Sequence, residues 1–284
     1  MFIAEVSSNH NNSLERCIRF VEEAADVGFD AVKFQAFKID ELFAPEVVAT
    51  SKAISDRKAW EFPLEFLPEI KTACERCGIQ LGITPFYLDA VESCDRFVDF
   101  FKIASYELLW LPLIRKAAGT GKPLIISSGM ATLSEVQAAI SSAKHAGAVD
   151  VEVLHCVSNY PAPPESVNLS AIKTLRDELS VPVGWSDHTN TPEAVIAAVL
   201  RWGAKTVEMH FDLDGTGEEF GPGHCWLPDK AESVIKICKH SMQMDGSGVK
   251  APAETELNER EWRADPVDGL RPLATNREKL EVPV

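Results

Sequence analysis

The sequence predicts an α/β protein built as a single (β/α)8 barrel, or TIM barrel, with a short C-terminal tail. Along its 284 residues, short apolar segments alternate with longer helical patterns. Eight consecutive strand–helix pairs favour a closed barrel over an open sheet. The strand segments are continuous apolar runs, as expected for strands that are buried on both faces. The first strand is not followed by GxGxxG, which disfavours a dinucleotide-binding sheet.

Strands and helices are predicted in strict alternation. The strands are FIAEV (2–6), DAVKFQ (30–35), IQLGIT (79–84), DFFKIA (99–104), PLIISS (123–128), VEVLHC (151–156), PVGWS (182–186) and KTVEMHF (205–211). The helices are predicted at 13–28, 63–78, 87–96, from 111 onward, and at 132–147, 168–179, 191–203 and 229–243. Ser13 is a suitable N-cap for the first helix and Gly28 a suitable end. The charged segment 38–60 is looser. The barrel is predicted to occupy 1–245, and 246–284, rich in proline, glutamate and arginine, to form a tail or arm.

Composition excludes several classes of protein. A net charge of −15 and a pI near 4.9 repel a phosphate backbone, so no nucleic-acid partner is expected. The seven cysteines are odd in number and lack framework spacing, and the lone Cys74–Cys77 CxxC is interpreted as thiols on a helix face. Without a leader pattern or a run of 18 apolar residues, the chain is expected to be cytoplasmic and to have no membrane contact.

Polar side chains at the strand ends predict the site, because barrel chemistry lies at the C-terminal ends of the strands. Lys33 and Lys102 lie inside apolar strands, where an ammonium group is costly unless it meets an anion. Hydroxyl groups end the strands around them, and the set predicts a phosphate or carboxylate pocket. These hydroxyls belong to Thr84, Ser105, Ser127 and Ser186. Two independent structural ion pairs are the alternative for the lysines.

Two histidines end adjacent strands. His188 and His210 can share one divalent metal and leave coordination positions open for substrate. The pair alone leaves a structural role equally open. Glu5 lies on the strand that adjoins the eighth once the barrel closes, where it can hold a metal-bound water or act as a general base. An ion pair between Glu5 and Lys33 is the alternative. His10 is expected to cap a turn and His155 to lie in the core.

Eight motifs, one for each strand, resemble the N-acetylneuraminate (sialic acid) synthase family over about residues 2–245. They are AEVSSNHNNS, DAVKFQ, GITPF, FKIASYE, KPLIISSGMAT, LHCVSNYPAP, VGWSDHT and VEMHF. The resemblance implies a metal-dependent enzyme, typically with Mn²⁺, whose barrel is the catalytic domain. Its small-molecule partners would be phosphoenolpyruvate and an N-acyl hexosamine aldehyde, and its products a nonulosonic acid and phosphate.

The resemblance also assigns roles to residues. It implies that His188 and His210 bind the metal and that Glu5 lies near the metal's water. The residues implied to hold phosphoenolpyruvate are Lys33, Lys102, Thr84, Ser105, Ser127 and Ser186, with Ser158 standing where the family often has asparagine. Gln35, Glu107 and Tyr160 match positions that face the acceptor sugar. Glu5, Lys33, Lys102 and Glu107 are therefore the candidate catalytic residues.

The chain also departs from the family pattern. GPGHCW places Gly223 where relatives have an acceptor-binding aspartate, and Ser7 or Ser8 replaces a glycine. Many relatives continue into an antifreeze-like domain that supplies an arginine to a partner's site. For that arginine, Arg260, Arg263 and Arg271 are candidate substitutes, and a homodimer is left open. The metal is open among manganese, zinc and iron. A Schiff-base aldolase using Lys102 or Lys33, and a non-catalytic barrel that binds phosphoenolpyruvate or a sugar acid, are the competing functions.

Overall fold

Eight parallel strands close into a barrel in the computed structural model, which describes residues 1–277. Each strand pairs with the next along the chain, and the last pairs with the first. The strands are β1 (Phe2–Glu5), β2 (Ala31–Ala36), β3 (Gln80–Pro85), β4 (Phe100–Ile103), β5 (Leu124–Ser127), β6 (Val151–Cys156), β7 (Val183–Asp187) and β8 (Val207–His210). The predicted fold class is confirmed.

The helices of the described part follow the predicted order. They are α1 (Leu14–Val27), α2 (Ile39–Leu42), α3 (Pro45–Thr50), α4 (Lys52–Ser55), α5 (Leu67–Cys77), α6 (Leu88–Asp95), α7 (Leu111–Ala118), α8 (Leu133–His145), α9 (Ala171–Leu179), α10 (Pro192–Ile196), α11 (Pro228–Met244), α12 (Leu257–Arg260) and α13 (Ala274–Arg277). Ser13 caps α1 by accepting from the Arg16 N–H, and Gly28 ends it with φ of 98°. The segment 38–60, predicted to be looser and rich in charge, holds α2 to α4 and a 3-10 turn at Asp56–Trp60.

The chain divides into two compact units, Met1–Met242 and a second that begins at Gln243. The first contains the whole barrel. The second contains a 3-10 turn, Glu254–Glu256, together with α12 and α13. None of the helices within residues 1–277 has the length and apolar character needed to cross a bilayer.

The barrel interior is filled below the site by one apolar layer. The members of this inner cluster are Ile3, Ala31, Phe100, Ile125 and Leu154. A Cβ atom on Gly82 would lie 2.2 Å from the Phe100 ring, so glycine at this position leaves room for that ring. Side chains alternate along a strand, so the residue two positions beyond each layer member faces the same interior. Those residues are Glu5, Lys33, Lys102, Ser127 and Cys156, which places polar groups directly above the apolar floor.

Candidate active site

The C-terminal ends of the strands surround a cavity of about 780 Å³. Of the residues predicted to be catalytic, to bind substrate or to bind the metal, all but Ser158 line this cavity. They are Glu5, Lys33, Gln35, Thr84, Lys102, Ser105, Glu107, Ser127, Tyr160, Ser186, His188 and His210. The segment after β2 contributes further walls through Ile39, Leu42, Phe43, Arg57 and Trp60. The structure therefore brings the predicted residues together, while their roles stay predictions.

Ser158 is not among the residues that line the cavity. A Cβ atom on Gly129 would lie 2.3 Å from the Ser158 Oγ and 2.8 Å from the Ser105 Oγ. The Gly129 N–H donates to the Ser105 Oγ at 3.0 Å. Both hydroxyls thus pack against the Gly129 backbone, and only a glycine allows this close approach. The Ser158 Oγ is buried and has no hydrogen-bond partner within residues 1–277, and its predicted contact with phosphoenolpyruvate stays a prediction.

The two lysines form one network at the base of the cavity. Lys33 Nζ donates to the Thr84 Oγ1 at 2.7 Å and is ion-paired with Glu5. Lys102 Nζ donates to the Ser127 Oγ at 2.6 Å. Glu208 lies between the lysines, with its carboxylate oxygens 3.9 Å from Lys33 Nζ and 3.6 Å from Lys102 Nζ. The predicted alternative of a Glu5–Lys33 pair is therefore present, and it coexists with the hydroxyl contacts expected of an anion pocket.

Burial and charge shift the pKa values of these groups in different directions. Burial raises the pKa of Glu5 and outweighs the lowering effect of Lys33. Burial also acts to raise the pKa of Glu208, but the ammonium groups of Lys102 and Lys33 outweigh it and lower that pKa. Burial lowers the pKa of Lys102 and outweighs the raising effect of Glu208. The network therefore contains one carboxyl group inclined to hold a proton and one inclined to release it.

Glu107 stands on the turn that follows β4. This 3-10 turn, Ser105–Glu107, begins where the Glu107 N–H donates to the Ala104 carbonyl at 3.1 Å. Burial raises the pKa of Glu107 to about 7. Its Oε2 has no hydrogen-bond partner among residues 1–277. A carboxyl group that faces a cavity and titrates near neutral pH can either donate or accept a proton.

The two predicted metal ligands come from neighbouring strands, since His188 directly follows β7 and His210 ends β8, where it pairs in register with Glu5 of β1. The ring centroids of His188 and His210 are 5.2 Å apart. His188 Nδ1 lies 2.7 Å from the Val157 carbonyl oxygen, which fixes that nitrogen as the donor and leaves Nε2 for a metal. The Nδ1 of His210 is buried and has no hydrogen-bond partner in the described part of the chain. A divalent metal fits this pair, because both rings line the same cavity and neutral imidazoles are common metal ligands.

A locked turn after β7 positions His188. The Asp187 carboxylate accepts from the Thr189 Oγ1 at 2.7 Å and from the Trp226 Nε1 at 2.9 Å. The Asn190 N–H donates to the same carboxylate at 3.0 Å. Because Asp187 is fully buried, these bonds hold the turn rigidly. His188 therefore starts from a fixed backbone.

Other histidines have structural roles. His10 Nδ1 accepts from the Asn12 N–H at 3.0 Å, which confirms the predicted turn cap. His155 was predicted to lie in the core; it is half-buried, and its Nε2 lies 2.8 Å from the Val167 carbonyl. Cys74 and Cys77 both lie on α5 as free thiols.

Arg260, Arg263 and Arg271 belong to the second unit, and their role stays a prediction.

Three further residues of the site had been given no role from the sequence. Glu208 bridges the two lysines, and its signal was an acid inside an apolar strand, two positions before His210. Glu219 places its Oε2 3.8 Å from the His210 Nδ1. His224 packs against His210 with ring centroids 4.7 Å apart. The last two lie in the loop after β8, where no strand period indicates which side chains face the cavity.

Comparison with known proteins identifies relatives of this chain. A model of the NeuB family matches residues 20–250. The N,N'-diacetyllegionaminic acid synthase of Campylobacter jejuni is 33% identical over 271 residues, covering 90% of this chain and 80% of that protein. The spore coat polysaccharide biosynthesis protein SpsE of Bacillus subtilis is 30% identical, covering 90% and 71%. The crystal structure of a sialic acid synthetase from Leptospira borgpetersenii, in complex with citrate, superposes with a TM-score of 0.81 at 31% identity, covering 92% of this chain and 90% of that one.

Proposed function

Because this chain belongs to the NeuB family and is a phosphoenolpyruvate-dependent synthase, we propose that it condenses phosphoenolpyruvate with an N-acyl hexosamine aldehyde. The products would be a nonulosonic acid and phosphate. The observation that carries the proposal is the pair of buried lysines, each bonded to a strand-end hydroxyl, in the same cavity as the imidazoles of His188 and His210. Relatives named as legionaminic, pseudaminic and sialic acid synthases support the reaction class.

Lys33 and Lys102 hold the carboxylate and phosphate groups of phosphoenolpyruvate in this proposal. Both ammonium groups are almost fully buried, and a charge-assisted hydrogen bond is stronger in such surroundings than in water. Thr84, Ser105, Ser127 and Ser186 supply further donors to the anion. Fixing both ends of phosphoenolpyruvate makes attack on the aldehyde effectively intramolecular.

The net charge of the pocket affects how it can bind an anion. Two lysines face two carboxylates, Glu5 and Glu208, so the ionised network is neutral before substrate enters. A trianionic substrate needs additional positive charge or the loss of negative charge. Glu5, whose pKa burial raises, is the group best placed to take up a proton as phosphoenolpyruvate binds. A bound metal ion is the second source of positive charge.

His188 and His210 would hold a divalent metal, for which Mn²⁺ is the first expectation from the family. Such an ion supplies Lewis-acid polarisation of the acceptor's aldehyde oxygen. In the reaction itself, C3 of phosphoenolpyruvate bonds to the aldehyde carbon, water adds at C2, and the resulting tetrahedral carbon expels phosphate. Glu5 orients that water, and the proton that the water loses leaves with the expelled phosphate. Glu107, with a pKa of about 7, exchanges a proton at the acceptor's oxygens.

The acceptor side of the cavity carries Gln35, Glu107 and Tyr160. Gln35 Nε2 donates to the Glu5 Oε1 at 2.7 Å, which links the acceptor side to the catalytic carboxyl group. Gly223 has φ of 93°, a region where side chains are strained. The family's aspartate would be strained in this backbone, so we propose that acceptor recognition here relies on other residues.

A direct assay tests the proposal. The protein is incubated with MnCl2, phosphoenolpyruvate and a panel of aldoses and N-acyl hexosamines, and phosphate release is measured. Release that depends on both the acceptor and the metal is expected. A folded, metal-loaded protein that binds phosphoenolpyruvate but releases no phosphate with any acceptor would instead support the non-catalytic alternative.

One observation favours a second function. Lys102 is buried at the base of the cavity, burial lowers its pKa, and a buried lysine is the nucleophile that a Schiff-base aldolase uses. Borohydride treatment in the presence of a keto acid distinguishes the two. The synthase predicts no covalent adduct and full dependence on metal, whereas an adduct on Lys102 with activity that survives chelation would establish the aldolase. A cytoplasmic location and a homodimer stay predictions.

A further inference from the structure

Glu219 is an acidic residue of the cavity that has no role in the proposed reaction. It lies in the loop after β8, lines the cavity, and has a side chain that is 26% exposed. Its Oε2 lies 3.8 Å from the His210 Nδ1, which is too far for a hydrogen bond. A ligand cavity contains few polar groups, and those that it holds in fixed positions orient the ligand. A fixed carboxylate at this place is therefore a candidate for contact with substrate.

A charged cluster fixes the loop that contains Glu219. Arg16 of α1 donates through Nη2 to the Asp212 Oδ1 at 2.7 Å. Its Nη1 and Nη2 both donate to the Asp214 carboxylate at 3.0 Å. Asp212 is fully buried, and its Oδ2 accepts from the Gly217 N–H at 3.2 Å. Because paired hydrogen bonds between a guanidinium group and carboxylates have a defined geometry, they hold this loop in place.

Asn9, in the loop after β1, holds the backbone of Glu219 directly. Its Oδ1 accepts from the Glu219 N–H at 2.8 Å, and its Nδ2 donates to the Phe211 carbonyl at 3.1 Å. The Arg16 Nε donates to the Asn9 carbonyl at 2.7 Å, which joins Asn9 to the charged cluster. A Cβ atom on Gly217 would lie 2.4 Å from the Asn9 Oδ1, so only glycine allows this approach. The position of Glu219 beside the cavity is therefore fixed by buried contacts.

Two serine hydroxyl groups orient the carboxylate of Glu219. The side chains of Ser7 and Ser8 hydrogen-bond to it, and both serines are 1% exposed. Ser7 has φ of 49°, in the left-handed region that residues other than glycine rarely adopt. In this conformation its N–H donates to the Glu5 Oε1 at 3.1 Å. Ser7 therefore connects Glu219 to Glu5, one of the candidate catalytic residues.

The chemistry of a carboxylate distinguishes between the two substrates. A carboxylate can accept about four hydrogen bonds, and the two serine hydroxyls supply only two of them. Its charge repels the anionic groups of phosphoenolpyruvate. The hydroxyl groups of a sugar, by contrast, are donors, and the aldehyde end of the acceptor would lie near His210 in the proposed reaction. The acceptor's hydroxyl groups are therefore the substrate groups that match Glu219.

We propose that Glu219 is a specificity-determining residue that accepts hydrogen bonds from hydroxyl groups of the sugar acceptor. This inference rests on the proposed function, which supplies the acceptor. The contact selects acceptors that have free hydroxyl groups close to the aldehyde carbon. It also disfavours acceptors that have an anionic group at that place, because the carboxylate would repel it.

Steady-state kinetics of Glu219→Gln test this assignment. Glutamine keeps the size of the side chain but removes its charge, and loss of a hydrogen bond to a charged group weakens binding by about 10–100-fold. The KM for the acceptor should rise by about this factor, while the KM for phosphoenolpyruvate should stay unchanged. The control Glu178→Gln, which changes an exposed acid on α9, should alter neither KM. An unchanged acceptor KM in Glu219→Gln, or a rise confined to phosphoenolpyruvate, would overturn the inference.

Deoxy acceptors show whether a hydroxyl contact is responsible. N-acyl hexosamines that each lack one hydroxyl group are compared as substrates of the wild type and of Glu219→Gln. For at least one of them, the wild type should lose about 10–100-fold in kcat/KM. The variant should lose much less with the same acceptor, because it already lacks the partner of that hydroxyl group. Equal losses in both proteins for every deoxy acceptor would contradict the contact.

Metal affinity distinguishes substrate contact from an effect on metal binding. Apo wild type and Glu219→Gln are titrated with MnCl2, and equal affinities are expected. A weaker affinity in the variant, together with unchanged discrimination among the deoxy acceptors, would overturn the inference. Wild-type protein that releases no phosphate with any acceptor would instead refute the proposed function itself, whereas a failure of the inference alone leaves wild-type turnover intact.

Discussion

Replacing Glu107 with glutamine should change how the stability of the protein depends on pH. Burial raises the pKa of Glu107 from its ordinary 4.5 to about 7. The folded state therefore binds this proton more tightly than the unfolded state does. Between these two values the folded protein holds more protons, so this group makes the free energy of unfolding fall as pH rises.

The size of the effect follows from the shift. Each pKa unit corresponds to about 1.4 kcal/mol, so the ionised, buried Glu107 costs about 3 kcal/mol above pH 7 and nothing below about pH 4. A glutamine keeps the shape of the side chain without the charge. Glu107→Gln should therefore become more stable relative to the wild type as pH rises, and the difference in unfolding free energy should grow by about 2 kcal/mol from pH 5 to pH 8.

Urea denaturation followed by circular dichroism at pH 5, 6, 7 and 8 measures this gain, and comparing the two proteins cancels all other titrating groups. Parallel pH profiles for wild type and variant would refute the reasoning that burial sets this pKa. The same variant tests the proposed role in proton transfer, because loss of a general acid–base group lowers kcat by about 10²–10⁴-fold. A kcat equal to that of the wild type would remove Glu107 from the mechanism.

Other predictions follow from single contacts. Lys102→Met should raise the KM for phosphoenolpyruvate by about 10–100-fold, because a hydrogen bond to a charged group contributes about 1.5–3 kcal/mol. The control Lys144→Met, which changes an exposed lysine, should leave the KM unchanged. Equal KM values for the two variants would contradict the anion pocket. Gly129→Ala should lower both Tm and phosphoenolpyruvate affinity, because its Cβ would lie 2.3 Å from the Ser158 Oγ, while Gly221→Ala, with open space around its Cβ, should change neither. Chelation should abolish phosphate release and added Mn²⁺ should restore it; turnover that persists without metal would exclude the metal-dependent route.

Much of the fold could be predicted because the strand and helix periods are local. Apolar runs such as PLIISS and KTVEMHF are typical of strands buried on both faces, and eight such strand–helix units in sequence are compatible with few topologies. Lys33 and Lys102 were recognisable for the same reason, because a charge inside an apolar run conflicts with burial unless it has a partner. His188 and His210 could likewise be assigned to strand ends, because each lies at the C-terminal end of a predicted apolar strand.

The sequence could not predict which loop residues reach the cavity. Glu219 and His224 lie after β8, where the chain has no period that tells inward from outward positions. Ser158 is a different case, because the structure packs its hydroxyl against Gly129 beside Ser105, a contact that its place after a strand does not reveal, and its predicted role stays a prediction. The short helices of the segment 38–60 were missed because each is too short to show a helical repeat.

The sequence by itself determined the barrel, the ring of polar strand ends and the family, because each depends on order and spacing along the chain. Only the tertiary structure decided the partnerships within that ring. It joined Lys33 to Glu5, set Glu208 between both lysines, and brought His224 to His210. The physical reason is barrel closure, which places β8 beside β1 and gathers residues some 200 positions apart around one buried volume, where charge and hydrogen-bond partners are then fixed by distance.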